Sequence, residues 1–180
     1  MISLIVARKY ARALLAIGIQ EGNYEALGED LGKMAELLKE NRELRGVLAS
    51  PFYPLDSRKA ITKTVVESLG LSKPVVDFID LLIDRERIDH FPGITKAYET
   101  LCDEVAKRLR ATLVTAAKIP PELVNEIKGQ LESTTGKEVL LSVEEDPSLI
   151  GGVLTKIGNT VYDGSLKTQL SKVKENLYKE

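Results

Sequence analysis

The stretch Val6-Ala7-Arg8-Lys9-Tyr10-Ala11-Arg12-Ala13-Leu14-Leu15-Ala16-Ile17-Gly18 decides how this chain is read. Its spacing is helical. Val6, Tyr10, Ala13, Leu14 and Ile17 share one face, and Ala7, Ala11 and Gly18 form an adjoining face of small residues. The strongly polar Arg8, Lys9 and Arg12 are confined to one flank. At 100° per residue the uncharged arc spans roughly 200°, about double the ~100° stripe a helix hides against a single core. A helix with that much apolar surface is either enclosed or shared with a partner.

A second segment repeats the pattern. Between Lys73 and Glu86, Asp77, Asp80 and Asp84 make a narrow acidic stripe, while Val75, Val76, Phe78, Ile79, Leu81, Leu82 and Ile83 cover almost everything else. Leu81 flanks the stripe on one side, and Val76 and Ile83 flank it on the other. Few helices of a bundle of about 110 residues can be enclosed on all sides, because surface dominates at that size. The two segments are therefore expected to line a groove that receives an amphipathic helix from another chain. From the first, the candidates are Ala7, Tyr10, Ala11, Ala13, Leu14 and Ile17; from the second, Val76, Ile79, Leu81 and Ile83. The alternative is that one of the two is simply the central helix of the bundle.

Working outward, helical periodicity persists to about residue 109. Tyr24, Leu27, Leu31, Met34 and Leu38 step by three and four, as do Phe91, Ile94, Tyr98, Leu101 and Val105. Gly22-Asn23 ends the first helix, Pro51 and Pro54 bracket a turn, and Gly70 stands where a C-cap belongs. Ser72 is placed to cap the next helix, with Pro74 tolerated in its first turn. The spacing predicts six helices, near 3–20, 23–39, 41–49, 55–69, 73–86 and 91–109, joined by short connections as an antiparallel bundle.

Beyond residue 110 the period changes. Ala111–Ala117 suits a strand, and Pro120-Pro121 opens a helix carrying Leu123, Val124, Ile127 and Leu131, closed by Gly136. Val139, Leu141 and Val143 alternate as a strand with one buried face. Gly152–Ile157 and Thr160–Tyr162 flank Gly158-Asn159, a two-residue hairpin turn. A last amphipathic helix carries Leu166, Leu170, Val173 and Leu177, capped by Asp163 or Ser165. The expected fold is mainly α: a six-helix bundle over 1–109, then a small α/β domain over 110–180.

Composition narrows the function. With 25 basic and 27 acidic side chains in 180 residues, the chain has little bulk positive charge for gripping nucleic-acid phosphates. Cys102 is alone and His90 is alone, so neither a disulfide nor a cysteine-histidine metal cage can be assembled. Cys102 reads as a small buried hydrophobe and His90 as a surface or capping residue. Gly151-Gly152 lacks both the dinucleotide and the Walker spacing, and Asp163-Gly164-Ser165 reads as a turn with a helix cap. No catalytic residue, cofactor or metal ligand can be assigned. No run reaches the ~18–20 apolar residues that cross a bilayer. The first 20 residues carry three positive and no negative charges, yet they join the helical pattern behind them and are read as the first helix rather than a transit peptide.

Three motifs together resemble a known family. Val6-Ala7-Arg8-Lys9-Tyr10-Ala11-Arg12-Ala13-Leu14 resembles the N-terminal motif of the delta-subunit family of F-type ATP synthases, whose mitochondrial members are called oligomycin-sensitivity-conferring proteins. Asp84-Arg85-Glu86-Arg87-Ile88 is similar to that family's segment after helix five. Asp146-Pro147-Ser148-Leu149-Ile150-Gly151-Gly152-Val153, Ile157-Gly158-Asn159 and Val161-Tyr162-Asp163-Gly164-Ser165-Leu166 match its C-terminal signature. The signature positions are Arg87, Asp146, Gly151, Gly152, Gly158 and Asp163.

The resemblance implies a non-catalytic stator joint present as one copy in a hetero-oligomeric complex. In it, residues 1–109 would hold the N-terminal helix of an alpha subunit, and residues 110–180 would meet the peripheral-stalk b subunits. It implies no nucleic-acid partner, no transmembrane segment and a peripheral position on the cytoplasmic side of a bacterial cell membrane. The first motif lies close to the start, which favours a bacterial-type subunit over an imported one. Tyr10 and Ala13 carry over as groove residues, and Gly152 as a position where the backbone is critical. The rival expectation is a generic two-domain adaptor for other partners.

Overall fold

The computed structural model describes residues 4–158 and 160–177, without the side chains of 172, 173 and 175–177. The expected turn residue Asn159 and the apolar side chains of Val173 and Leu177 lie outside the described residues. The protein is mainly helical, with a four-stranded mixed sheet near its C-terminus, and it divides into two compact units, Met1–Cys102 and Asp103–Glu180.

The first unit contains α1 (Leu4–Glu21), α2 (Tyr24–Glu40), α3 (Arg42–Ala49), α4 (Leu55–Leu69), α5 (Lys73–Asp84), a 3-10 turn (Ile88–His90) and most of α6 (Phe91–Val105). The apolar spacing sets the core. Leu27, Leu31, Met34 and Leu38 of α2 and Phe91, Ile94, Tyr98 and Leu101 of α6 are all buried. Gly18 lets α1 and α2 approach closely, because a Cβ there would stand 2.8 Å from Tyr24 Cα. Gly70 ends α4 in the left-handed conformation (φ +62°), and the Leu71 N–H donates to Val66 O, which closes the helix.

The end of α4 is tied to α2 by a route that periodicity does not reveal. Ser72 occupies the N-cap position of α5, but its hydroxyl makes no cap; its backbone N–H instead donates to Asp30 Oδ2 at 2.9 Å. Lys33 Nζ donates to the other oxygen of Asp30 at 2.9 Å. Burial by itself would raise the Asp30 carboxyl, but the hydrogen bonds from Ser72 and Lys33 outweigh it and hold the group below its ordinary value. Arg58 is similarly enclosed and donates to Leu48 O, near the end of α3. Cys102 is half-buried with Sγ 3.9 Å from Tyr24 O, and Tyr98 Oη donates to the same carbonyl at 2.9 Å.

The second unit begins earlier than the periodicity predicts. Lys107 takes a positive φ of 53° after α6 ends at Val105, so β1 runs Arg108–Thr115 rather than 111–117. The charged Arg108 and Arg110 hide this strand start from a hydrophobicity pattern; at the sheet edge Arg108 Nε donates to Glu138 at 3.1 Å. Next come α7 (Pro121–Thr135), β2 (Glu138–Glu145), a 3-10 turn (Pro147–Leu149), β3 (Val153–Ile157), β4 (Thr160–Asp163) and α8 (Leu166–Leu177). The strand order is β2-β1-β3-β4. β1 and β2 are parallel, as a crossover through α7 requires, and the other two pairings are antiparallel. In β2 the expected alternation buries Val139 completely, while Leu141 is half-buried and Val143 is 41 % exposed.

Candidate partner-binding site

The two segments with excess apolar surface do come together. A groove of about 1140 Å³ lies between α1 and α5, lined on the α1 side by Val6, Lys9, Tyr10, Ala13, Leu14, Ile17 and Glu21. On the other side stand Lys73, Pro74, Asp77, Phe78 and Leu81 of α5, with Arg87 from the turn beyond it. Tyr10 and Leu14 lie near the N-terminal half of α1, Ile17 and Glu21 near its end. Arg87 reaches Tyr10, so the N-terminal part of α1 meets the C-terminal end of α5.

The floor is apolar and rigid. Leu14 and Phe78 are 1 % and 7 % exposed, so each packs into the core while presenting one edge to the groove. Tyr10 meets Phe78 edge-to-face, with ring centroids 6.1 Å apart and planes at 69°. Arg87 lies over the Tyr10 ring: its Cζ is 5.7 Å from the Tyr10 centroid and its Nη1 donates to Tyr10 Oη at 3.1 Å. The Tyr10 ring is therefore held by an aromatic contact and a cation. The rim is open, with Ile17 44 % and Leu81 43 % exposed and Ala13 also exposed. Ala13 leaves room between them, because a methyl group is the whole of its side chain.

The sequence-derived candidates divide into two sets. Tyr10, Ala13, Leu14, Ile17 and Leu81 line the groove. Ala7, Ala11, Ile79 and Ile83 are buried at 0–1 % exposure and serve the core, and Val76 is half-buried against that core without lining the groove. α5 is largely enclosed, yet Phe78 and Leu81 still face outward into the cleft. Phe78 belongs to the apolar pattern but not to the expected groove set, and the polar rim of Lys9, Glu21, Lys73 and Asp77 carries no apolar signal that would place it there. Arg87 was singled out only as a signature position; its place beside Tyr10 follows from Glu86 at φ 54° and the Arg87 N–H donating to Leu82 O, a turn that folds the chain back.

The acidic stripe of α5 is not uniform. Asp84 pairs with Lys59 Nζ at 2.6 Å, and Asp77 faces the groove. Burial raises the Asp80 carboxyl above its ordinary value, against the opposing effect of Lys59. His90 sits half-buried at the end of the 3-10 turn, with Nδ1 enclosed and unpaired.

The remaining signature positions build a clasp in the second unit. The Asp146 N–H donates to Thr115 O at 2.8 Å, and its carboxylate accepts from the Ser148 N–H at 2.9 Å; hydrogen bonding from the Ser148 side chain and backbone holds this carboxyl below its ordinary value. The Leu166 N–H donates to Gly151 O, and the Gly164 N–H to Val153 O, each at 2.9 Å. Gly152 has φ +80°, and a Cβ there would run into Gly164 O and stand 3.0 Å from Ser165 Cα. Asp163 and Ser165 cap α8 jointly: Asp163 accepts from the Ser165 N–H and the Thr168 hydroxyl, and Ser165 Oγ accepts from the Thr168 N–H. Gly158, at φ +56°, follows β3. These residues therefore join the start of β3 to the start of α8.

Among the described residues no helix is long and apolar enough to cross a membrane. Over its full length the chain is 42 % identical to the ATP synthase subunit delta of Geobacter metallireducens, covering 99 % of both chains. It is 38 % identical to the subunit of the same description from Desulfosudis oleivorans, over 99 % of this chain and 98 % of that one. The fold recurs in a chain of the Toxoplasma gondii mitochondrial ATP synthase hexamer, with a TM-score of 0.70 at 20 % identity over 96 % of this chain and 97 % of that one. Since the family model for the ATP synthase delta (OSCP) subunit also matches residues 6–177, the chain belongs to that family.

Proposed function

We propose that this protein is a stator joint of an F-type ATP synthase, whose α1–α5 groove holds the N-terminal helix of an alpha subunit. It is a non-catalytic, structural subunit of the peripheral stalk. Residues 1–109 act as a six-helix bundle that engages the catalytic head. Residues 110–180 engage the b subunits, and the protein works peripherally on the cytoplasmic side of a bacterial membrane. Such a joint transmits torque without turning over substrate, so what it needs is slow dissociation from well-packed anchors.

The observation that carries the reading is the groove itself: an apolar floor of Leu14 and Phe78, rims at Ile17 and Leu81, and a small exposed residue, Ala13, in its lining. An amphipathic helix seated there buries its own apolar face against this floor. The test is calorimetric titration of the full chain with a synthetic peptide of the cognate alpha subunit's first ~25 residues. Ala13→Asp brings an unpaired carboxylate into that contact, which costs about 1–3 kcal/mol, a loss of roughly tenfold or more in affinity. Ala13 is exposed in the free protein, so the unfolding midpoint stays unchanged. Unaltered affinity overturns the groove assignment.

A further inference from the structure

The helical unit carries a second concavity, on helices other than α1 and α5. It is a cleft of about 630 Å³ between α2 and α6 that continues to the start of α3. Small residues open it: Gly32 and Ala35 line the α2 side, and a Cβ on Gly32 would meet nothing within 4 Å. The course of α6 is fixed near the start of α2, where Tyr98 Oη donates to Tyr24 O and a Cβ on Gly28 would stand 3.4 Å from the Tyr98 ring. Toward the other end, Pro92 shares the cleft with Leu38 and Lys39. The two helices are therefore antiparallel, and α6 begins beside the end of α2.

This arrangement sorts the charges. In the lining, the cations Lys39, Arg42, Arg45 and Lys96 outnumber the carboxylates Glu36 and Glu99, although the whole chain has 25 basic and 27 acidic side chains. Glu99 lies at the far end, beyond Tyr98, whereas Lys39, Arg42 and Arg45 gather where α2 passes into α3. Glu40 and Glu43 alternate with those cations in sequence but line a separate recess with Leu37 and Asn41. Two helices also begin at the basic end: α6, and α3, whose cap Asn41 accepts from the Leu44 N–H through Oδ1. Their partial positive charges add to those of the side chains, while Leu37 O, one of the last carbonyls of α2, is taken by the Asn41 N–H. Asp89 stands 3.6 Å from Arg45 Nε and offsets part of the charge, but a guanidinium has five donors.

An occupant that matches this end is anionic. It is also elongated. Along α2 the lining runs from Gly32 to Lys39, about 10 Å at 1.5 Å per residue, and passes on to Arg42 and Arg45. Three or more extended residues at ~3.3 Å each span that length, and a single oxyanion does not. We propose that the α2–α6 cleft is a second docking site of the helical unit and takes an acidic, extended polypeptide segment, with its carboxylates over Lys39, Arg42 and Arg45. The site uses none of the residues of the α1–α5 groove, so it stands independently of the alpha-subunit reading. Exposed charges of this kind favour encounter and selectivity over tight retention, and their effect is screened by salt.

The experiment records amide spectra of the full chain while a hexaglutamate peptide, acetylated and amidated at its ends, is titrated in at low salt. The expected result is saturable movement of the signals of residues 35–45 and 92–96, with those of residues 7–21 and 73–87 unchanged. Movement centred on Lys9 and Arg87 instead assigns the attraction to the other groove and overturns the proposal, as does absence of saturation. Inorganic phosphate at matched ionic strength is the competitor. If it displaces the peptide and moves the same signals, the cleft takes a free oxyanion and the segment assignment fails. Lys39→Glu with Arg42→Glu reverses two exposed charges and leaves the rest of the spectrum in place. It should weaken peptide binding about tenfold or more at low salt and by a smaller factor at about 0.5 M salt. No loss, or a loss equal at both salt concentrations, contradicts the site.

Discussion

The two units of the molecule contrast in how far each is finished on its own. In the helical unit, α2 alone buries Leu27, Leu31, Met34 and Leu38, and α1 and α5 border an apolar groove, while Leu4, Ile5, Ile19 and Phe52 are exposed outside it. In the α/β unit, α7 buries no residue fully. Leu123 (42 %), Val161 (55 %), Tyr162 (60 %) and Leu170 (60 %) are distributed over several elements and remain exposed. The first unit packs a helical core beside the α1–α5 groove, while in the second a backbone closure at Gly151 and Gly152 joins β3 to α8.

The largest effect should come from breaking that closure. Gly152→Val places a β-branched residue at φ +80° with its Cβ against Gly164 O, so both the backbone and the contact with Ser165 must give way. We expect the loss of about 3 kcal/mol or more to unfold the second unit selectively. Amide spectra should lose the dispersed signals of residues 108–166, while those of residues 7–100 stay in place.

The contrast also explains what could be read in advance. Helix spans and stops were legible because they rest on local chemistry: apolar spacing in α2 and α6, and positive-φ glycines at Gly70 and Gly136. The wide apolar arc on α1 is divided between the core and the groove. Spacing could not make that division, because Ala7 and Tyr10 differ in destination through tertiary packing alone. For α5, Phe78 faces both core and groove, while Ile79 and Ile83 face only the core, and all three look alike in one dimension. Arg87 lay outside the helix pattern altogether, and its return to Tyr10 needs the Glu86 turn. The early start of β1 was hidden because Arg108 and Arg110 are held by carboxylates, Glu138 on the edge strand β2 and Asp103 near the end of α6, rather than by apolar burial.

A core truncation in the helical unit sharpens the comparison from the other side. Leu31→Ala removes a side chain with no exposed surface and should cost about 2–5 kcal/mol, read as a lower denaturant midpoint of the first unit. Peptide affinity should fall with it once the groove walls loosen. Smaller still is the effect of the link between α2 and the start of α5. Because the Asp30 carboxyl is held below its ordinary value in the folded protein, its contribution is present above the unfolded-state carboxylate pKa and is lost as pH falls through the lowered folded value. Asp30→Asn should therefore cost about 1 kcal/mol at pH 7, and the difference from wild type should shrink on acidification.

The helical unit presents an apolar slot between α1 and α5, proposed to hold the alpha-subunit helix. Hydrogen exchange of the full chain, with and without the alpha-subunit N-terminal peptide, tests this most directly. The account predicts added protection over residues 7–21 and 73–87, with exchange in residues 108–166 unchanged. Protection confined to the α/β unit, or spread over α3 and α4 without α1 and α5, would contradict it.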